Sequence, residues 1–146
     1  MSAQTTSLGS QLRLAVLRLS RRLRQEAVGE ITPSQLSALT VVAKRGEVTL
    51  GELAAIERIA PPSMTRIAAR LEDRGFVQRQ VDPTDRRVAR LVASETGLAL
   101  LDTIRTRRDA YLASRLQEFT DEERTVLEAA VPLLERIASG DELPPS

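Results

Sequence analysis

The chain is expected to fold as a mainly α-helical protein with one small β-hairpin, an α+β arrangement in which helices precede and follow the hairpin. Three observations predict it. Apolar residues recur at steps of three and four through most of the 146 residues, the mark of amphipathic helices. Thr stands three residues ahead of Gln or Glu at Thr32–Gln35, Thr49–Glu52 and Thr120–Glu123, the reciprocal capping pattern of helix starts. Residues 76–92 alternate apolar and polar side chains around a turn, as a hairpin requires.

The elements follow in order. Residues 1–6 are small and polar and are expected to fray. A first helix begins at Ser7, carries Leu8, Leu12, Val16, Leu19 and Leu23 on one side, and stops at Gly29. Thr32 caps a second helix with Pro33 in its first turn, running through Leu36, Leu39 and Val42 to Lys44. Thr49 caps a short third helix through Leu53 and Ile56. Pro61-Pro62 is tolerated only in a first helical turn, so a fourth helix runs from there to Arg74 and is closed by Gly75. Phe76–Val81 and Val88–Val92 form the hairpin around Asp82-Pro83-Thr84-Asp85, a run of turn formers. Ser94 caps a long helix reaching Glu118. Thr120 caps the last helix, through Val126, Leu127, Ala130, Leu134 and Ile137 to Gly140, with a kink or a local loss of a hydrogen bond expected at Pro132. Two short helices, a turn, a longer helix and a basic hairpin spell a winged helix-turn-helix.

Composition narrows the functions. Aromatic residues are 2% of the chain, so the core must be aliphatic. Without Cys there is no thiolate metal site or thiol chemistry, and without His no imidazole base or ligand. Lys44 is the single lysine. No catalytic constellation remains, and a cofactor is not expected. No apolar run approaches the ~20 residues of a membrane span, and the N-terminal stretch lacks a signal-peptide pattern, so a cytoplasmic protein without membrane partners is expected. Residues 1–43 and 44–92 each carry a net charge of +3, whereas 93–146 carry −5. One part of the chain is suited to a polyanion and the other is not.

The fourth helix carries the chemistry. At about 100° per residue, Met64, Ile67, Ala68 and Leu71 share one stripe. Pro62, Thr65, Arg66, Ala69 and Asp73 lie opposite, with Arg70 on the shoulder. Small residues let such a helix approach a groove floor, and arginines nearly one turn apart can reach guanine O6/N7 or phosphates. In the hairpin, Arg87 is suited to a narrow minor groove, Asp85 to holding its fork by a bidentate pair, and Arg86 to a phosphate. Arg79 and Arg90 add to the hairpin's positive charge.

The run Leu53-Ala54, Ser63-Met64-Thr65-Arg66, Leu71-Glu72-Asp73-Arg74-Gly75-Phe76-Val77, Asp82-Pro83-Thr84-Asp85-Arg86-Arg87 and Ser94-Glu95-Thr96-Gly97 resembles the MarR family of bacterial transcriptional regulators. The likeness spans about residues 8–138. It implies a homodimer on inverted-repeat double-stranded DNA, with residues 1–32 and 94–140 as dimerisation helices, 33–93 as the winged helix-turn-helix and 141–146 as a loose tail. It maps recognition-helix contacts to Pro62, Ser63, Thr65, Arg66 and Arg70, and the wing pair to Asp85 and Arg87. It also implies a repressor released by a small anionic aromatic effector, in a crevice including Leu12, Val16, Leu39, Val42 and Leu101, with Arg13 or Arg18 as charge partner. Pro61-Pro62 departs from the pattern by removing two amide donors, and the missing cysteine departs from the peroxide-sensing branch. A winged-helix adaptor that binds protein instead of DNA would call for a polar or acidic recognition helix and an uncharged wing. The arginines at 66, 70, 86 and 87 argue against it.

Overall fold

The computed structural model describes residues 2–27 and 31–140. Gly29 and the tail 141–146 lie outside the described residues. The elements are α1 (Ala3–Gln25), α2 (Pro33–Arg45), β1 (Glu47–Thr49), α3 (Leu50–Glu57), α4 (Pro61–Asp73), β2 (Val77–Val81), β3 (Ala89–Ala93), α5 (Glu95–Leu116) and α6 (Asp121–Ser139). Residues up to Arg108 form one compact unit, and those from Asp109 a second.

In the first unit, hydrogen bonds at the helix ends account for most boundaries. Thr32 and Thr49 close full capping boxes with Gln35 and Glu52. At the end of α4, Gly75 takes φ 75°, its N–H donates to the Glu72 carbonyl, and the Phe76 N–H donates to the Leu71 carbonyl. That is a Schellman stop. The end of α3 has the same two bonds, Arg58 to Ala55 and Ile59 to Ala54, but the left-handed position is held by Arg58 at φ 53°. A side chain there costs about 1–2 kcal/mol relative to glycine.

Three expectations are corrected. Residues 3–6 are helical: the Ser2 hydroxyl accepts the Thr5 N–H, and α1 starts at Ala3 rather than Ser7. A third strand, β1, joins the hairpin to give an antiparallel sheet in the order β1-β3-β2, with Val48 opposite Leu91 and Arg79 opposite Leu91 on the other side. Val88 stands in the wing loop, one residue before β3.

The pleat sorts the sheet's side chains. Val48, Val77 and Leu91 are buried, alongside Ala38, Leu39 and Val42 of α2, Leu53 of α3, and Met64, Ala68 and Leu71 of α4. The stripe expected on α4 is therefore the buried one, with Ile67 packed against its edge. The root of the hairpin is fixed by Ser94. Its N–H donates to the Phe76 carbonyl, its hydroxyl donates to the Gly75 carbonyl, and the same oxygen accepts the Gly97 N–H.

In the second unit, Thr120 and Glu123 form the capping box of α6. Arg124 donates to the Leu116 carbonyl and pairs with Asp121 at 2.6 Å, tying the turn between α5 and α6. The helix is continuous across Pro132, so the missing N–H removes one bond without ending the element. Neither α1 nor α6 has a buried residue. Leu8, Leu17, Val126, Val131, Leu133 and Ile137 are all more than half exposed.

Gly97 has a packing requirement. A Cβ there would stand 2.1 Å from the Phe76 carbonyl oxygen, a backbone atom. Gly97→Ala is therefore expected to destabilise the fold by about 1–3 kcal/mol or more, read as a lower urea midpoint. An unchanged midpoint would contradict this packing.

Candidate nucleic-acid interface

The exposed side of α4 carries Pro62, Thr65, Arg66, Ala69 and Arg70, and Ser63 is half-buried at the helix start. Ala60 precedes the helix with no side-chain cap, and the two prolines supply no amide hydrogens. The Thr65 hydroxyl donates back to the Pro61 carbonyl at 3.0 Å. Its proton is thus occupied, and its lone pairs remain free to accept. Arg66 and Arg70 have no acidic partner among the described residues.

The wing divides its arginines into two groups. Arg79 on β2 is paired with Glu72 on α4 at 3.1 Å, linking the hairpin to the helix. Arg90 on β3 lies between Glu47 of β1 and Asp82 at the wing tip. Both belong to the positive charge expected of the hairpin, yet both are paired with carboxylates of the chain. Arg86 is exposed and without an ion-pair partner among the described residues. Arg87 donates through Nε to Asp85 Oδ1 at 3.1 Å and through Nη2 to Oδ2 at 3.3 Å, while its side chain is 91% exposed. The expected carboxylate–guanidinium fork is formed, and its outer side faces solvent.

A cavity of about 510 Å³ lies among α1, α2 and α5 in the first unit, bordered by Arg24, Ala27, Ile31, Leu36, Lys44 and Arg108, with Ser37 also on its wall. Arg108 Nε donates to the Leu23 carbonyl at 3.1 Å, and Lys44 has no partner among the described residues. The Ser37 hydroxyl donates to Glu57 of α3 at 2.6 Å. None of the residues expected to line an effector crevice borders this cavity. Leu39 and Val42 are fully buried core, Leu12 and Leu101 are half-buried, and Arg13, Val16 and Arg18 are exposed along α1. Positions 36, 37, 40, 41 and 44 form the cavity side of α2, whereas 38, 39 and 42 face the core.

Comparison with known proteins agrees with this architecture. An HTH-type transcriptional regulator of Mycobacterium tuberculosis is 45% identical over 138 residues, covering 94% of this chain and 95% of that protein. The model of the MarR family matches residues 31–89. The chain belongs to the MarR family. A MarR family protein from Bacillus stearothermophilus has the same fold, with a TM-score of 0.78 at 30% identity over 95% of this chain and 99% of that one. A Bacillus subtilis relative named as the HTH-type transcriptional repressor MdtR is 29% identical over 126 residues, covering 83% of this chain and 80% of that protein. As a MarR family member, the chain is a DNA-binding transcriptional regulator with a winged helix.

The wing's carboxylates set its pH behaviour. Asp85 titrates below its ordinary value because the Arg87 side chain, and then the Arg87 N–H, donate to it. Asp82 is lowered by the Thr84 hydroxyl first, then by the Thr84 and Asp85 amides, with Arg90 adding attraction. A depressed folded pKa stabilises the fold above the ordinary carboxylate value, and that contribution is lost as pH falls through the depressed value. The chain has no histidine. At constant ionic strength, DNA affinity measured by fluorescence anisotropy is expected to stay flat from about pH 8 to about pH 5.5. A transition centred between these values would contradict the assignment.

Proposed function

We propose that the chain is a cytoplasmic, homodimeric repressor that binds inverted-repeat double-stranded DNA and is released by a small anionic aromatic compound. The observation that carries the DNA reading is that Arg66 and Arg70 on the exposed side of α4 have no acidic partner among the described residues, while the Asp85–Arg87 fork of the wing also faces solvent. Arg66 and Arg70 read guanine edges in the major groove, Pro62, Ser63 and Thr65 admit the helix to the groove, and Arg86 meets a phosphate. Arg87, held by Asp85, enters the flanking minor groove. Residues 33–93 are the reader, and 1–32 and 94–140 are the dimerisation helices. The absence of buried residues in α1 and α6, with large aliphatic side chains exposed on both, supports a second copy as their partner. Two-fold symmetry then matches an inverted repeat. Repression is supported by the likeness to MdtR.

For the effector, the cavity among α1, α2 and α5 offers the better chemistry: Arg24, Lys44 and Arg108 for a carboxylate, and Ala27, Ile31 and Leu36 for a ring. Ser37 on its wall is bonded to α3, which packs against α4. Occupancy that draws Ser37 away from Glu57 would disturb the reader.

Selection of bound sequences from random duplex DNA tests this reading and is expected to return an inverted repeat. On that duplex, Arg66→Ala should cost ~1–3 kcal/mol and relax preference at one or two positions. Arg87→Ala should weaken all good sites, most where an A·T tract flanks the half-site. Millimolar benzoate should release the wild-type protein and leave Lys44→Ala bound. Unselective binding, or an undivided effect of the two arginine changes, would contradict the reading.

A further inference from the structure

The wing tip holds a second carboxylate whose contacts all run inward. Asp82 Oδ1 accepts the Thr84 N–H at 2.8 Å, the Thr84 hydroxyl at 2.7 Å and the Asp85 N–H at 3.3 Å. Its Oδ2 stands 3.7 Å from Arg90 Nη2, and Arg90 Nη1 stands 3.8 Å from Glu47 of β1. The backbone closes the same loop, since the Asp82 N–H donates to the Val88 carbonyl and the Val88 N–H to the Asp85 carbonyl, each at 3.0 Å. The Asp82 side chain is 19% exposed, against 91% for Arg87.

We infer that Asp82 is a positioning residue for DNA binding: its carboxylate folds the tip that carries the Asp85–Arg87 fork, and Arg90 anchors that tip across the sheet to Glu47. The inference rests on the wing's role as a DNA contact. A side-chain oxygen that accepts three hydrogen bonds from Thr84 and Asp85, two and three residues on, defines the turn, and the bond to the Asp85 N–H fixes the residue that holds Arg87. Arg90 has its strand neighbours Thr49 and Gln80 in register on either side. Its guanidinium thus ties the tip end of the β2–β3 ribbon to the third strand.

The sign of the effect separates this role from plain electrostatics. Removing a carboxylate beside a polyanion strengthens attraction. Positioning predicts the opposite. Asp82→Ala, Asp82→Asn and Arg87→Ala are compared with the parent by anisotropy on a labelled duplex selected by the parent protein, across a salt series. Asp82→Ala is expected to weaken binding roughly tenfold and to flatten the salt slope as Arg87→Ala does, because the same contact is lost. Asp82→Asn keeps an acceptor for the turn and loses only the charge toward Arg90, so it is expected to fall between Asp82→Ala and the parent. Thermal midpoints confirm that each variant is folded, and Asp82→Asn carries the test if Asp82→Ala is not. Weakening by Arg87→Ala with unchanged or tighter binding by the Asp82 variants would overturn the inference and leave the wing contact standing. Unchanged binding by Arg87→Ala would overturn both.

Discussion

The reader depends on one junction. At Ser94 a single hydroxyl donates to the Gly75 carbonyl just past α4 and accepts the Gly97 N–H in the first turn of α5, while the Ser94 N–H donates to the Phe76 carbonyl at the root of the hairpin. Gly97 lets α5 lie directly against that carbonyl. In the proposed complex α4 and the wing meet different grooves of one duplex, so they act together only if their relative position is held. Three backbone segments meeting at one serine hold it, and Arg79–Glu72 adds a side-chain brace between β2 and α4.

That constraint also explains how the arginines are allotted. Those on the hairpin strands are paired within the chain: Arg79 with Glu72, and Arg90 with Glu47 and Asp82. Arg74 lies over the Phe76 ring, 4.9 Å from its centre. Of the arginines on α4 and the wing, Arg66, Arg70 and Arg86 have no ion-pair partner among the described residues, and Arg87 turns its fork to solvent. Net charge therefore says less about this protein than which cations lack an internal partner.

Much of this was legible in the sequence where the signal was local. The capping boxes at Thr32, Thr49 and Thr120, the glycine stop at Gly75 and the buried stripe of α4 all depend on residues within a turn or two of each other, and all are present. The fork of Asp85 and Arg87 is equally local. Other features were hidden for physical reasons. Strand β1 has three residues, Glu47-Val48-Thr49, too few for alternation to register, and it exists because β3 pairs with it. The end of α3 carried no glycine because Arg58 takes the left-handed position. The start of α1 was missed because Ser2 caps it without a Glu or Gln three residues on. The cavity walls come from α1, α2 and α5, and α5 is far from the other two in the chain, so no local pattern brings Arg108 to Leu36 and Lys44.

A double-mutant cycle on DNA affinity tests most directly whether the Ser94 junction holds helix and wing as one unit. The four proteins are the parent, Ser94→Ala, Arg87→Ala and the double variant, each shown to be folded, on one selected duplex. If the junction acts by placing the wing, Ser94→Ala weakens the parent but adds little once Arg87 is gone, giving a coupling energy above about 0.5 kcal/mol. Effects that add within about 0.5 kcal/mol would show that the junction and the wing contribute separately, contradicting the account.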